Sequence, residues 1–292
     1  MKILINLIGE QPIPNLLPIL YFKPEKTIVL HTQKTMSVAN RLKKIVNNIE
    51  LVKTEPYNFS YNLKKLRAVY NKNNEYVFNI TGGTKIMSVA LFQFALETNS
   101  KVVYLDSQNN INNLIHIIDD KRDVSEKTEP ILELLNVDTY LKAHLNDYYI
   151  GEHENKNLFG IKYENAITDV LINNGFELIK SVKPKGEGNQ LEIDAVLKKT
   201  GTNNFAVVEI KSGKEEENTK RGIDQLSTAG SREYLGTYTK RILITRLQIN
   251  DSLKKLARKH DIVVIDKIAS NRQINIVEES KTILINILND IL

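Results

Sequence analysis

Cysteine is absent from the 292 residues, so disulfides and thiolate metal sites are excluded. The 5 histidines, His31, His116, His144, His153 and His260, fall at no metal-ligand spacing and read as structural or surface residues. Long apolar runs are missing: none approaches the ~20 residues that a membrane-spanning helix needs. The opening MKILINLIG is too short for a signal peptide and lacks a small-residue cleavage site. These absences predict a cytoplasmic protein. Internal repeats and low-complexity tracts are also missing. Charge is not strongly one-sided. Lys and Arg number 40 against 35 Asp and Glu, and the resulting +5, with a pI near 9.0, is a mild bias toward a polyanionic partner.

What is present is a globular composition, 41% hydrophobic and 26% charged, in a chain long enough for two domains. The N-terminal half alternates short apolar runs with helical patterns. The runs are KILINLI (2–8), TIVLHT (27–32), IELV (49–52), YVFNIT (76–81) and KVVYL (101–105). The helical patterns lie at about 35–48, 61–71 and 84–97. Such alternation predicts a parallel sheet covered by helices, a Rossmann-like α/β domain. LDSQNNINNLIHII adds a hairpin at the sheet edge.

In sheets of this kind ligands bind beyond the carboxyl ends of the strands. The stretch at that place is NITGGTKIM, residues 79–87. A strand runs into Thr81, Gly82, Gly83, Thr84 and Lys85 and then directly into a helix. Glycines admit a close backbone approach. A helix start offers N–H groups and a positive dipole end, which favour phosphate. It is neither G-x-G-x-x-G nor a Walker A loop, so neither NAD nor ATP is implied. A capped strand-to-helix turn with no ligand fits the same residues.

The C-terminal half contains LEIDAVLKKTGTNNFAVVEIKSG, residues 191–213. Strand side chains alternate between faces. The turn at 200–204 joins two runs as antiparallel neighbours, which brings Asp194, Glu209 and Lys211 onto one face. Two close carboxylates repel unless a cation or a proton sits between them. Oxygen ligands suit Mg²⁺ or Mn²⁺, and a neighbouring lysine can orient water or stabilise charge on a phosphate. The set suits metal-assisted phosphodiester hydrolysis; a solvated hairpin face with ordinary salt bridges is the plainer alternative.

The stretch resembles the PD-(D/E)XK nuclease core, with Asp194 as the first acid and Glu209, Ile210, Lys211 as the E-x-K; Ile193 stands where the family usually has proline. The family core opens with a helix that supplies a glutamate. FGIKYENAITDVLINNGFE fits, with Glu164, Ile167 and Leu171 on one side and Asn174-Gly175 as the stop. The resemblance therefore implies the metal ligands Glu164, Asp194 and Glu209, with Lys211 catalytic. It also implies a catalytic Gln225 on the following helix, within KRGIDQLSTAGSREYLG. RILIT (241–245) and IVVID (262–266) read as further strands, with a helix capped by Asp251 between them.

A strand followed by TGGTK and a helix resembles the CARF domain of CRISPR-associated proteins. Together the two halves resemble the CARF–PD-(D/E)XK effector nucleases of type III CRISPR defence, over most of the chain. The resemblance implies a homodimer binding a cyclic oligoadenylate across its two-fold axis. The implied activator is cyclic tetra-adenylate, because four adenylates suit a two-fold site. The implied ligand contacts are Gly9, Glu10 and Gln11, Thr32, Asn79, Thr81, Gly82, Gly83, Thr84 and Lys85, and Asp106. The expected boundaries are 1–120 for the sensor, 121–154 for a charged linker with short helices, and 155–292 for a restriction-endonuclease-like domain. The expected substrate is DNA, single-stranded RNA, or both, with no membrane partner. A nuclease without cyclic-nucleotide control and a non-catalytic nucleotide sensor remain the alternatives. Lys183, Lys185, Lys198, Lys199, Lys214, Lys220 and Arg221 are expected to track a phosphate backbone.

Overall fold

The structure is a computed structural model that describes residues 1–108, 110–119, 124–151, 158–185, 191–213, 215–269 and 274–292. They divide into two compact units, Met1–Leu135 with Lys142–His144, and Asn136–Leu141 with Leu145–Leu292. Among the described residues no helix is long and apolar enough to cross a membrane.

The first unit runs β1 (Lys2–Leu7), α1 (Ile13–Phe22), β2 (Lys26–His31), α2 (Met36–Ile45), β3 (Ile49–Lys53), α3 (Phe59–Val69), β4 (Glu75–Asn79), α4 (Lys85–Glu97), β5 (Lys101–Gln108), β6 (Ile111–Ile118) and β7 (Val124–Pro130). Strand order is β3-β2-β1-β4-β5-β6-β7. The first five strands are parallel, and β6 and β7 add an antiparallel extension. The centre is apolar because β1, β2 and β4 are covered on both faces and read as nearly unbroken Ile, Leu, Val and Phe.

Two features depart from the sequence expectation. α1, which the sequence patterns above do not include, lies in a stretch with Pro12, Pro14 and Pro18. Pro14 falls in the first turn, where its missing N–H costs nothing, and burial of Asn15, Leu16, Leu17, Pro18 and Ile19 holds the rest. The expected boundary at 120 also moves, since part of the charged linker is β7. Leu114 pairs with Glu129 and His116 with Lys127 across β6 and β7. An edge strand tolerates charge because it faces water. Glu129 is secured by the Tyr21 hydroxyl, which donates to it at 2.6 Å.

α5 (Val137–Leu145) follows, with residues assigned to both units. The second unit continues with β8 (Tyr148–Ile150), α6 (Phe159–Asn173), β9 (Phe176–Pro184), β10 (Ile193–Lys199), β11 (Phe205–Lys211), α7 (Glu216–Ala229), β12 (Lys240–Thr245), α8 (Asp251–Lys259), β13 (Ile262–Ile265) and α9 (Glu278–Ile291). β8 therefore lies inside the expected linker. Strand order is β13-β12-β11-β10-β9-β8. β9, β10 and β11 are antiparallel, and β11, β12 and β13 are parallel. Asn250, not Asp251, caps α8, its side chain accepting from the Leu253 N–H at 2.9 Å.

Candidate functional site

In the first unit β1 and β4 pair in parallel register, Asn6 against Asn79. The connections on either side of this pair run in opposite directions, which makes it the switch point of the sheet. The loops leaving β1 and β4 therefore lie side by side. A Cβ on Gly82 would sit 2.0 Å from the Leu7 carbonyl oxygen and 3.0 Å from the Gly9 nitrogen, so no side chain fits. Gly83 adopts φ +74°, a conformation that glycine takes without strain. Lys85 is the first residue of α4 and is exposed, without a hydrogen-bond or ion-pair partner among the described residues. Glu10, at the end of the β1 loop, pairs with Lys34 from the loop after β2.

In the second unit Ala195 faces Val208 and Leu197 faces Ala206 across β10 and β11. These residues join Tyr163, Ile167 and Leu171 of α6 in one core. By alternation Asp194, Glu209 and Lys211 point to the other face. Lys211 Nζ contacts Glu209 Oε1 directly. Asp194 Oδ2 accepts from the Ile210 N–H at 2.7 Å, which ties the first acid to the backbone between Glu209 and Lys211. Glu209 is 1% exposed; burial first, and then Asp194, push its carboxyl well above the usual range. Burial also raises Glu164, with help from Asp194, to about 7. Burial alone would lower Lys211, but the Glu209 and Asp194 carboxylates outweigh it and hold the ammonium charged.

Residues 3–140 match the family model for the Card1 CARF domain. That span takes in nearly all of the first unit, hereafter the CARF unit. Among solved structures, the chain is similar to Can2 from Sulfobacillus thermosulfidooxidans in complex with cyclic tetra-adenylate. Identity is 16% and the TM-score 0.71, over 91% of this chain and 96% of that one. It is also similar to VC1899 from Vibrio cholerae, at 10% identity and TM-score 0.74, over 99% and 98%. A type III CRISPR defence DNA nuclease activated by cyclic oligoadenylate aligns at 13% identity and TM-score 0.58, over 85% of this chain and 46% of that one. At these identities the likeness is one of fold. No match is found among curated proteins.

Several expected ligand contacts of the CARF unit are internal. Asn79 is fully buried, its amide donating to Asn6 Oδ1 at 2.9 Å and to the Pro14 carbonyl at 3.1 Å. The Thr81 hydroxyl donates to Asn79 and accepts from the Leu105 N–H at 2.7 Å. Thr32 is buried in a turn with Thr35, which accepts from the Thr32 N–H at 3.0 Å. These side chains brace the loops because a parallel sheet end must satisfy its own polar groups. The Thr84 hydroxyl accepts from the Met87 N–H at 3.3 Å and donates to the Pro56 carbonyl. Asp106 lies within β5, directly after the Leu105–Thr81 bond, and is part-exposed. Available at the loop surface are Gly9, Glu10, Gln11, Gly82, Gly83 and Lys85. The Gln11 amide nitrogen is buried without a hydrogen-bond partner among the described residues. The sequence reading missed Lys34, which the β1–β2 pairing brings to Glu10.

The expected metal set is Glu164, Asp194 and Glu209, and each of the three feels the charge of at least one of the others. Among the described residues no group of three His, Cys, Asp or Glu is gathered closely enough to hold a metal ion. Glu164 stands on α6, whose Tyr163, Ile167 and Leu171 pack into the core, and its carboxyl is near enough to Asp194 and Lys211 to feel both charges, while Glu209 turns toward Lys211. Gln225 is on α7 as expected, its amide oxygen buried without a hydrogen-bond partner among the described residues. Two residues here were missed. Gly222 lets α7 press on the acidic face: a Cβ there would lie 3.0 Å from Lys211 Cε and 3.2 Å from Glu209 Cγ. Arg246, 5% exposed, donates from Nε to the Ser212 carbonyl at 2.7 Å and from its backbone N–H to the Lys211 carbonyl at 2.9 Å. Its guanidinium lies 5.4 Å from the centre of the Phe159 ring. The only sequence signal was an arginine closing an apolar strand.

The raised carboxyls predict a pH dependence. A carboxyl whose folded value exceeds its unfolded one stabilises the fold below the unfolded value and loses that contribution as pH rises through the folded one. For Glu164 the window runs from 4.5 to about 7, and Glu209 acts in the same direction. Lys211 titrates above 10.5, outside this window. Thermal melts in chelator should therefore show stability falling from pH 5 to pH 8, and the slope should flatten in Glu164→Gln and Glu209→Gln. An unchanged slope in both variants refutes the assignment.

The expected phosphate-tracking lysines divide. Lys198 is fully buried beside Glu177, at 3.5 Å, so it is structural. Lys183 pairs with Glu192 at 3.0 Å and Lys185 with Asp147 at 2.7 Å. Lys220 and Arg221 are exposed on α7, Lys199 is part-exposed, and Lys214 lies outside the described residues. Oligonucleotide affinity should fall with salt, and Lys220→Ala with Arg221→Ala together should lower the log–log slope by about 1.5. A flat wild-type response, measured by anisotropy, removes the phosphate contacts.

Proposed function

We propose that the chain is a cyclic-oligoadenylate-activated, metal-dependent nuclease of type III CRISPR defence, hydrolysing DNA or single-stranded RNA as a homodimer. The observation that carries this reading is the shared face of Asp194, Glu209 and Lys211, in a chain whose other unit matches a CARF domain. The helix–three strands–helix–strand order from α6 to β12 is the order of a PD-(D/E)XK core, which supports the nuclease half.

The donor set suits a hard cation. Mg²⁺ takes one or two carboxylates and fills its remaining positions with water and phosphate oxygens, so Asp194 and Glu209 suffice. The raised proton affinity of Glu209 marks a buried carboxylate that gains from a neighbouring cation. Bound Mg²⁺ or Mn²⁺ would supply charge stabilisation on the phosphate and a more acidic water. The Lys211 ammonium, held charged by its neighbours, donates to the phosphate oxygen on which charge develops. Glu164, with a proton affinity near neutrality, exchanges a proton with water at the edge of the site. Gln225 orients that water.

In the CARF unit the glycine-lined junction of the β1 and β4 loops holds the activator, with Lys85 and Gln11 as donors. The similarity in fold to Can2, solved with cyclic tetra-adenylate, makes that ring the first to test. The activator can shift the equilibrium only by its differential affinity for the active arrangement of the dimer. The test is one assay on labelled single-stranded RNA, single-stranded DNA and plasmid, with Mn²⁺ or Mg²⁺, with and without cyclic tri-, tetra- and hexa-adenylate. Cleavage only with one ring supports the reading. Equal cleavage without any ring leaves a nuclease without this control. Binding of a ring without cleavage leaves a sensor.

A further inference from the structure

β11 and β12 run parallel with Lys211 opposite Thr245 and Glu209 opposite Leu243. In-register neighbours point to the same side. Thr245 therefore shares the face of Glu209 and Lys211, the face that α7 covers. Gly222 of α7 lies over Lys211, Glu209 and Leu243. Thr219 is one turn earlier on the same side of that helix. Beyond Thr219 and Thr245 a recess of about 290 Å³ opens at the carboxyl ends of β11 and β12. Ligands of α/β sheets lodge at that end of the strands. The recess thus continues the acidic face, one strand across from Lys211.

Its chemistry selects an occupant. Leu247, Ile249 and Leu253 give apolar walls, while Thr219, Thr245 and Gln248 add hydroxyl and amide groups. No lysine, arginine or histidine lines it among the described residues, and Glu216 stands at its edge. A phosphate would meet a carboxylate and no cation there. Glu216 is held by the Asn250 amide, which donates to its Oε1 at 2.6 Å. Its Oε2 has no hydrogen-bond or ion-pair partner among the described residues. The volume is at the small end of the roughly 300–1,000 Å³ usual for small-molecule pockets, which suits one ring system. Apolar walls, neutral hydrogen-bonding groups and one free carboxylate oxygen match a flat heterocycle with an amino group.

We propose that this recess receives a nucleobase next to the scissile bond, and that Glu216 favours a base with an exocyclic amino group. The inference rests on the nuclease reading and narrows it. A base can enter a pocket only when it is unpaired and splayed from its neighbours, so the substrate strand is single-stranded at the cut. A carboxylate accepts from an amino group such as cytosine N4 and gains nothing from a thymine or uracil carbonyl.

The test sequences the ends produced from randomised single-stranded DNA and RNA pools, with matched duplexes in parallel, in Mn²⁺ or Mg²⁺ and with saturating cyclic tri-, tetra- or hexa-adenylate. Wild type is expected to show a base preference at one fixed distance from the cut, for amino-bearing bases over thymine or uracil, by about five- to tenfold. Glu216→Gln is exposed and close to isosteric; it should reduce that preference several-fold. Leu247→Phe fills the recess; it should raise KM for single strands and flatten the preference, with kcat on the best substrate much less changed. Cutting without any positional preference, a preference identical in both variants, or faster cutting of duplexes than of single strands overturns the pocket and leaves the nuclease. Absence of cleavage by wild type on every pool overturns the nuclease reading and this inference with it.

Discussion

Glu209→Ala and Asp194→Ala should each abolish cleavage while leaving activator binding intact. The two acids share one face, and Asp194 is tied to the backbone beside Glu209 by its bond to the Ile210 N–H. Removing either leaves one carboxylate for a divalent ion. A metal contributes several kcal/mol of charge stabilisation to phosphoryl chemistry, so the rate should fall by at least about a thousandfold. Folding should survive, because Glu209 is a buried carboxylate whose charged form is disfavoured there. Glu209→Gln keeps the volume against Gly222 and is the companion variant. Lys211→Ala should lose turnover and keep metal affinity, since an ammonium donates and cannot ligate. Cleavage is read on labelled oligonucleotides and metal binding by calorimetry. Wild-type rates in both acid variants would end the metal-site assignment.

Lys85→Ala should raise the activator concentration needed for cleavage by about ten- to a hundredfold, with full activity recovered at saturation. The residue begins α4 directly after its cap Thr84 and the two glycines that press the β4 loop onto Leu7 and Gly9, and it is exposed. One charge-assisted hydrogen bond is worth roughly 1.5–3 kcal/mol, which sets that range. In a dimer each ring would lose two such contacts, so the shift can be larger. Asp194→Ala should do the reverse: normal ring binding and no cleavage at any dose. The measurement is a cleavage titration against cyclic tetra-adenylate for both proteins, with direct binding alongside. Superimposed curves for wild type and Lys85→Ala, or full activity at zero activator, remove the sensor assignment and leave the nuclease.

The sequence by itself determined what local rules control. Period-two alternation placed Asp194, Glu209 and Lys211 on one face, and the 200–204 turn joined their strands as β10 and β11, as observed. Gly82, Gly83 and Thr84 marked a strand-to-helix turn, and Thr84 caps α4. Alternating strands and helices specified the parallel sheet of the CARF unit, because periodicity and turn chemistry act over a few residues. Only the tertiary structure decided the rest, because those outcomes depend on segments distant in the chain. Burial made α1 a helix despite its prolines, and a free sheet edge made charged residues into β7. The close approach of β1 and β4 turned Asn79 and Thr81 into internal braces. Lys198 reads as surface, yet the sheet buries it beside Glu177. Gly222, Arg246 and the recess beside Thr245 carry no local signal. Their roles exist only where α7, α6 and the strand ends meet, and a side chain's partners there are set by packing across the fold, not by its neighbours in sequence.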